Sequence, residues 1–256
     1  MRALLALLTL SFIAVVAEAG VVAHYETKDL TTSKISENTV FYAQGGTLRM
    51  DSLDDRGQVT RMVIVRDGAI WTVDVPRRTY AKIDKAFVQQ KLGAANAQLQ
   101  AMVAQLPPER RALMEQRMKQ MQQPDAVVWN DTGRSDRGGT YSCRIYEEKR
   151  SDNKVRAEYC VASPSSVPGG DELATAIHKA ALTAQDIFAG VPEARRTADQ
   201  FSRFAKMNGV VVIKRQLDGG KASREDHVKS IDRESLTADQ FAVPKGFTEQ
   251  SDAGGN

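Results

Sequence analysis

Side chains able to do chemistry are few in this chain, and they are scattered. Its two cysteines, Cys143 and Cys160, stand near the ends of the stretch "TYSCRIYEEKRSDNKVRAEYCVA". The spacing is not C-x-x-C, which argues against a redox dithiol, and a metal site would need further Cys or His close in sequence. If Ser151-Asp152 is a two-residue turn, Cys143 faces Cys160, Glu147 faces Arg156 and Arg144 faces Tyr159. Directly opposed cysteines come within disulfide reach. The pair is therefore expected to staple a hairpin, with a free or reactive pair as the alternative.

The other candidates are weaker. The three histidines, His24, His178 and His227, sit in no H-E-x-x-H or similar frame, and each reads as an ordinary surface or partly buried residue. There is no G-x-S-x-G and no phosphate-cradling glycine loop. Asp51, Asp54 and Asp55 cluster beside Gly57 without the spacing of a calcium loop, so they read as a polar turn. Met114, Met118 and Met121 form a stripe at helical spacing. Soft thioethers can select Cu(I), but such stripes are more often core packing or an adaptable contact surface. No catalytic residue, metal or cofactor is expected, and the chain reads as non-enzymatic.

The compartment follows from the first residues. Arg2, the apolar run Ala3 to Val16 and the small-x-small pattern Ala17-Glu18-Ala19 make 1–19 an expected signal peptide, cut after Ala19. The run is short for a membrane span of about 20 residues, and no later segment is apolar enough to cross. The expectation is an exported, soluble periplasmic protein. The net charge of +3 is spread through mixed stretches such as "ASREDHVKSIDRES", which excludes the clustered basic footprint of nucleic-acid binding.

The elements that would position any site read as α+β. "VVAHYET", "ENTVFYAQ", "TLRMDS", "QVTRMVIVR", "AIWTVDV" and "TYAKI" are strand-like, and Asp67-Gly68 is the sharpest hairpin signal between them. They predict an antiparallel meander. In "QVTRMVIVR" one face carries Val63 and Val65 and the other Met62 and Ile64, so both faces have something to cover them. Asp84 is the expected cap of a helix with Phe87/Val88, Leu92, Ala95, Leu99, Met102/Val103 and Leu106 inward. Pro107-Pro108 ends it and opens a second, giving a helical-hairpin insertion over 84–123. Strands resume at "AVVWN". Asp171 is the expected cap of a third helix, burying Leu173, Ile177, Ala180/Ala181, Ala184 and Ile187/Phe188. A turn or two of helix from Pro192 and the strands "VVVIKRQ", "DHVKSIDRES" and "QFAVP" complete one domain over 20–250, with 251–256 a flexible tail.

Three stretches carry a resemblance. They are "GAIWTVDVPRRTYAKI" before a Met/Gln-rich insertion, "YSCRIYEEKRSDNKVRAEYCVA" before a helix, and "FAVPKGF" near the end. Together they resemble the exported domain-of-unknown-function 4412 family, similar in turn to the lipoprotein-carrier (LolA-like) half-barrel. What the resemblance implies is a curved antiparallel sheet with helices covering one side and a concavity for lipid or lipoprotein acyl chains. Phe41, Val63, Val65, Trp71 and Val73 are the candidate lining residues, equally suited to a plain core. The second expectation is a chaperone-like module that grips periplasmic proteins through Met114, Met118 and Met121.

Overall fold

The computed structural model describes residues 19–122, 128–150, 152–189 and 207–250. The expected signal peptide up to residue 18, the turn of helix from Pro192 with Phe201 and Phe204, and the tail 251–256 lie outside the described residues. The chain forms one curved, open, mixed sheet. Its first meander is β1 (Ala19–Asp29), β2 (Ile35–Gln44), β3 (Thr47–Leu53), β4 (Val59–Arg66), β5 (Ala69–Asp74) and β6 (Thr79–Ile83). Its second is β7 (Val128–Gly138), β8 (Tyr141–Lys149), β9 (Val155–Ala162), β10 (Val210–Asp218) and β11 (Lys221–Ser235). Antiparallel pairing of β1 with β11 joins the two. The short β12 (Thr248–Glu249) adds to β6 in parallel.

Turn chemistry accounts for the meander. Asp67 and Gly68 both have positive φ, 49° and 71°, the geometry a tight hairpin needs and that Gly adopts without penalty. Between β2 and β3, Gly45 and Gly46 do the same at 59° and 77°. The segments between strands that lack such turns become helix: α1 (Lys85–Ala104), α2 (Pro108–Gln122) and, after β9, α3 (Gly170–Phe188). Asp84 caps α1 by accepting the Phe87 amide at 2.9 Å.

Three expectations about these elements are corrected. The cap of α3 is Gly169, not Asp171. Gly169 has φ 64°, and a Cβ there would sit 2.2 Å from Val21 Cγ2, so only glycine lets the chain turn this close to β1. Asp171 and Glu172 instead occupy the first turn, where the helix dipole favours acids. "QFAVP" is not a strand. Ala238–Phe241 is a 3₁₀ turn with a Thr237/Gln240 capping box, because Thr237 and Gln240 satisfy each other's backbone amides more locally than a ladder could. On α1, Val88 and Val103 are buried, while Met102, expected inward, is 54% exposed.

The hairpin register is corrected as well. Cys143 and Cys160 are bonded, with Cα atoms 5.3 Å apart, yet they are not directly opposed. Cys143 faces Ala162 and Ile145 faces Cys160, so the disulfide is diagonal. The turn is longer than two residues. The Arg150 amide donates to the Lys154 carbonyl, and Asn153 takes φ 61°. A shift of two residues keeps each side chain on its face, which is why the staple still forms. It replaces the expected Glu147–Arg156 pair with Glu147 opposite Glu158. Arg134 of β7 relieves that repulsion by donating to both carboxylates, at 2.9 and 2.8 Å.

The two faces of the first meander are covered differently. On one, Leu173, Ala176 and Ala180 of α3 pack with Val21, Ala23 and Ala43, and Ala184 and Ile187 pack with Ile70 and Val88. Lys85 at the start of α1 pairs with Asp186 near the end of α3 at 2.8 Å. On the other face the C-terminal segment lies as a strap. Leu236 and Phe241 pack on Val22 and Val40, and Val243 and Phe247 pack against Met62, Ile64 and Val73. Arg49 ties the strap to the sheet. Its Nε and Nη2 donate to both oxygens of buried Asp51 at 2.7 and 2.6 Å, and its Nη1 donates to the Gln240 carbonyl at 2.7 Å.

Two stability effects follow. Replacing Cys143 and Cys160 together by alanine should cost about 3 kcal/mol, the loop-closure value for a bridge of this span. Urea denaturation should show it, and reductant should lower the wild type by the same amount without affecting the variant. Asp51→Asn should cost about 3 kcal/mol, because it leaves the half-buried Arg49 charge without its partner. A lower denaturation midpoint, with earlier proteolysis near Gln240, is the expected reading.

Candidate functional site

The cavity is built by a contrast in side-chain size. Strand residues Phe41, Leu48, Met50, Val63, Val65 and Ile70 face α3, which answers them with Ile177, Ala180, Ala181 and Ala184. Ala180 and Ala184 pack into the core, but the three alanines are too short to fill all the space between helix and strands. At the other end of α3 the large Leu173 is fully buried against small strand residues, and the packing closes. The resulting cavity, of about 540 Å³, reaches from α3 across β5–β1 to β11 and β10. Its size lies within the range of small-molecule sites.

Its floor is stiffened by aromatics. Tyr25 and Phe41 meet edge to face at 5.1 Å between ring centres. Tyr25 Oη donates to the Val211 carbonyl at 2.9 Å, reaching across β11 to β10. Burial holds this phenol well above its ordinary pKa, with the neighbouring Tyr141 adding to the effect. It stays a neutral hydrogen-bond donor.

Beyond Tyr25 the lining turns polar. Thr27, Glu37, Lys214, Arg224 and Asp226 come from β1, β2, β10 and β11. Thr27 Oγ1 donates to Asp226 Oδ1 at 2.8 Å. Arg224 lies 3.0 Å from Glu37 and 3.4 Å from Asp226, and Lys214 lies 3.9 Å from Asp226. The cavity is thus apolar inside and ionic at one end.

Of the five candidate lining residues, the structure brings Phe41, Val63 and Val65 to this cavity. Trp71 and Val73 lie on the opposite face. Trp71 pairs with Ile64 and Val73 with Met62, and both belong to the cluster under the C-terminal strap. The missed residues are the α3 alanines and the charged group. In sequence the alanines are a buried stripe, and nothing in a stripe says how far it stands from its partner.

Met114 on α2 is 38% exposed, beside Leu113 at 52%. The side chains of Met118 and Met121 lie outside the described residues. No described group of three His, Cys, Asp or Glu could hold a metal ion. The histidines are separated: His24 is exposed on β1, His178 is exposed on α3, and His227 of β11 lies 3.5 Å from Glu26. Asp54 accepts the Arg56 and Gln58 amides as a turn residue. A second hollow of about 380 Å³ lies between the Gly45-Gly46 and Asp67-Gly68 turns and Lys179 of α3. No described helix is long and apolar enough to cross a membrane.

No protein-family model matches the chain, and no curated protein matches its sequence. Among solved structures, it is similar to an uncharacterised conserved protein from Thermus thermophilus. The TM-score is 0.45 at 10% identity, over 90% of this chain and 89% of that one. It is also similar to PNGF-II, with a TM-score of 0.43 at 9% identity, over 91% of this chain and 31% of that one. The chain therefore spans about a third of the length of PNGF-II. Likenesses this distant say nothing of activity.

Proposed function

We propose that this chain is a non-enzymatic binder of an apolar ligand, an acyl chain or comparable lipid, held between α3 and the sheet. The observation that carries the reading is the cavity itself, with side chains of Val, Leu, Ile, Met and Phe within and charges confined to one end. Each methylene moved from water into such a lining contributes about 0.8 kcal/mol, so a chain of a few carbons is enough for useful affinity. In this reading the curved sheet is a half-barrel and the helices cover its concave side, as the sequence resemblance implies. The Cys143–Cys160 bond supports an oxidising compartment. Export to the periplasm fits it, and removal of 1–19 would leave Gly20 ready to enter β1.

Native mass spectrometry of protein purified gently from its own compartment tests the reading. A discrete lipid-sized adduct, lost on organic extraction, is expected. Thr39 of β2 lines the cavity opposite Tyr25, and Thr39→Trp should fill it and remove the adduct while the thermal midpoint stays within a few degrees. A wild-type protein that is bare and also fails to take up added palmitate, monopalmitoylglycerol and lysophosphatidylethanolamine would overturn the proposal.

A second reading rests on the helical insertion, where Met102, Leu113 and Met114 are exposed on α1 and α2. Apolar side chains left in solvent on a hairpin suit a partner-binding or chaperone-like role. Deleting 106–123 should then abolish suppression of client aggregation while far-UV circular dichroism keeps its strand signal. An unfolded deletion variant would make the insertion part of the core and end this reading.

A further inference from the structure

Four charged side chains on the cavity wall form a chain of alternating sign. Lys214 faces Asp226, Asp226 faces Arg224, and Arg224 faces Glu37. Thr27, buried at 6% exposure, fixes Asp226 from below through its hydroxyl. These residues sit on strand positions that continue the apolar lining, where alternation alone would place more valines. Two cations and two anions leave the group neutral. The group grades from wall to mouth, with the Lys214 and Asp226 side chains 31% and 28% exposed and those of Arg224 and Glu37 46% and 40% exposed, so charge matching acts there through partial screening by water.

Resting on the apolar-ligand reading, we infer that this group is the headgroup subsite, and that it selects a zwitterionic, single-chain amphiphile. The chain lies under α3. The headgroup's anionic oxygens meet Lys214 and Arg224, and its ammonium meets Glu37 and Asp226. Such a headgroup brings an anion to the two cations and a cation to the two carboxylates, so the mouth stays neutral on binding. A purely anionic headgroup would leave one net charge there and stand against Glu37 and Asp226. Arg224 suits the anionic side because its planar fork can donate two parallel bonds to phosphate or carboxylate. Lys214 is the loosest member, its nearest carboxylate at 3.9 Å and its ammonium 5.9 Å above the Tyr159 ring. It can turn to a ligand at little cost.

The test compares three palmitoyl amphiphiles below their micelle concentrations: lysophosphatidylethanolamine, monopalmitoylglycerol and palmitate. Equilibrium dialysis of the whole protein should show the zwitterion bound about tenfold tighter than the neutral glyceride, a gap of ~1.4 kcal/mol. Lys214→Gln with Arg224→Gln should erase that gap by weakening the zwitterion far more than the glyceride, whose binding comes from the chain. Glu37→Gln should raise palmitate relative to the zwitterion, a change of rank that a merely structural ion pair would not produce. Equal binding of zwitterion and glyceride by the wild type overturns this inference alone, and so does a preference that survives the double change. Failure of all three probes to bind overturns the cavity reading and this inference with it. Should the double variant not fold, the wild-type ranking and Glu37→Gln still decide.

Discussion

Everything in this molecule depends on the ladder between β1 and β11. It begins where Ala19 faces Ser235 and ends where Asp29 faces Arg224, so its partners come from opposite ends of the chain. Without it there are two separate meanders, each with a raw edge whose unpaired amides and carbonyls invite association. With it they become one sheet, long enough to curve and offer a face on which α3 can lie. The entropy of closing so long a loop grows only with the logarithm of its length, and many backbone bonds formed together offset it. The same ladder carries Thr27 against Asp226 and brings Arg224 within reach of Glu37, so the ionic end of the cavity exists only once it has formed.

The cavity and the close-packed core are made by one helix acting in two ways. Near its start, α3 presents Leu173 to the small residues of β1, and the gap closes completely. Further along, short alanines beside Ile177 leave the cavity, before Ile187 closes on Ile70 and Val88. Protein interiors pack like organic crystals and seldom leave such spaces without cause. On the far side of the sheet the strap of 236–247 covers Met62 and Ile64 of β4 and Val73 of β5. One face is finished by the chain itself, and among the described residues the other is left with room.

Local rules were legible where the physics is local. Asp67-Gly68, Gly45-Gly46, the Asp84 cap and the Pro107-Pro108 break each act within a few residues, and each element they bound appears where they place it. The cysteine pair was legible for a related reason: a two-residue error in register returns every side chain to its own face, so the bridge survives a turn of different length. The Gly169 cap was not legible, since its demand comes from Val21, far away in the chain. Nor was the strap, whose "QFAVP" has a strand's composition but lies across the sheet as a capped turn because hydrophobic contacts with Val22 and Val40 hold it there.

By itself, the sequence determined the period-two strands, the tight turns between them, the helical insertion and the staple, because backbone sterics and side-chain alternation act over a few bonds. It also determined that Met62 and Ile64 share one face and Val63 and Val65 the other, though not which face would be covered by the chain's own end. Only the tertiary structure decided that, since the answer depends on where 236–247 comes to rest. It alone decided that four charges from three strands meet beside an apolar hollow. Such a meeting is set by strand order and register across the whole sheet, and those arise from pairing between residues that share nothing in sequence but the space they must fill.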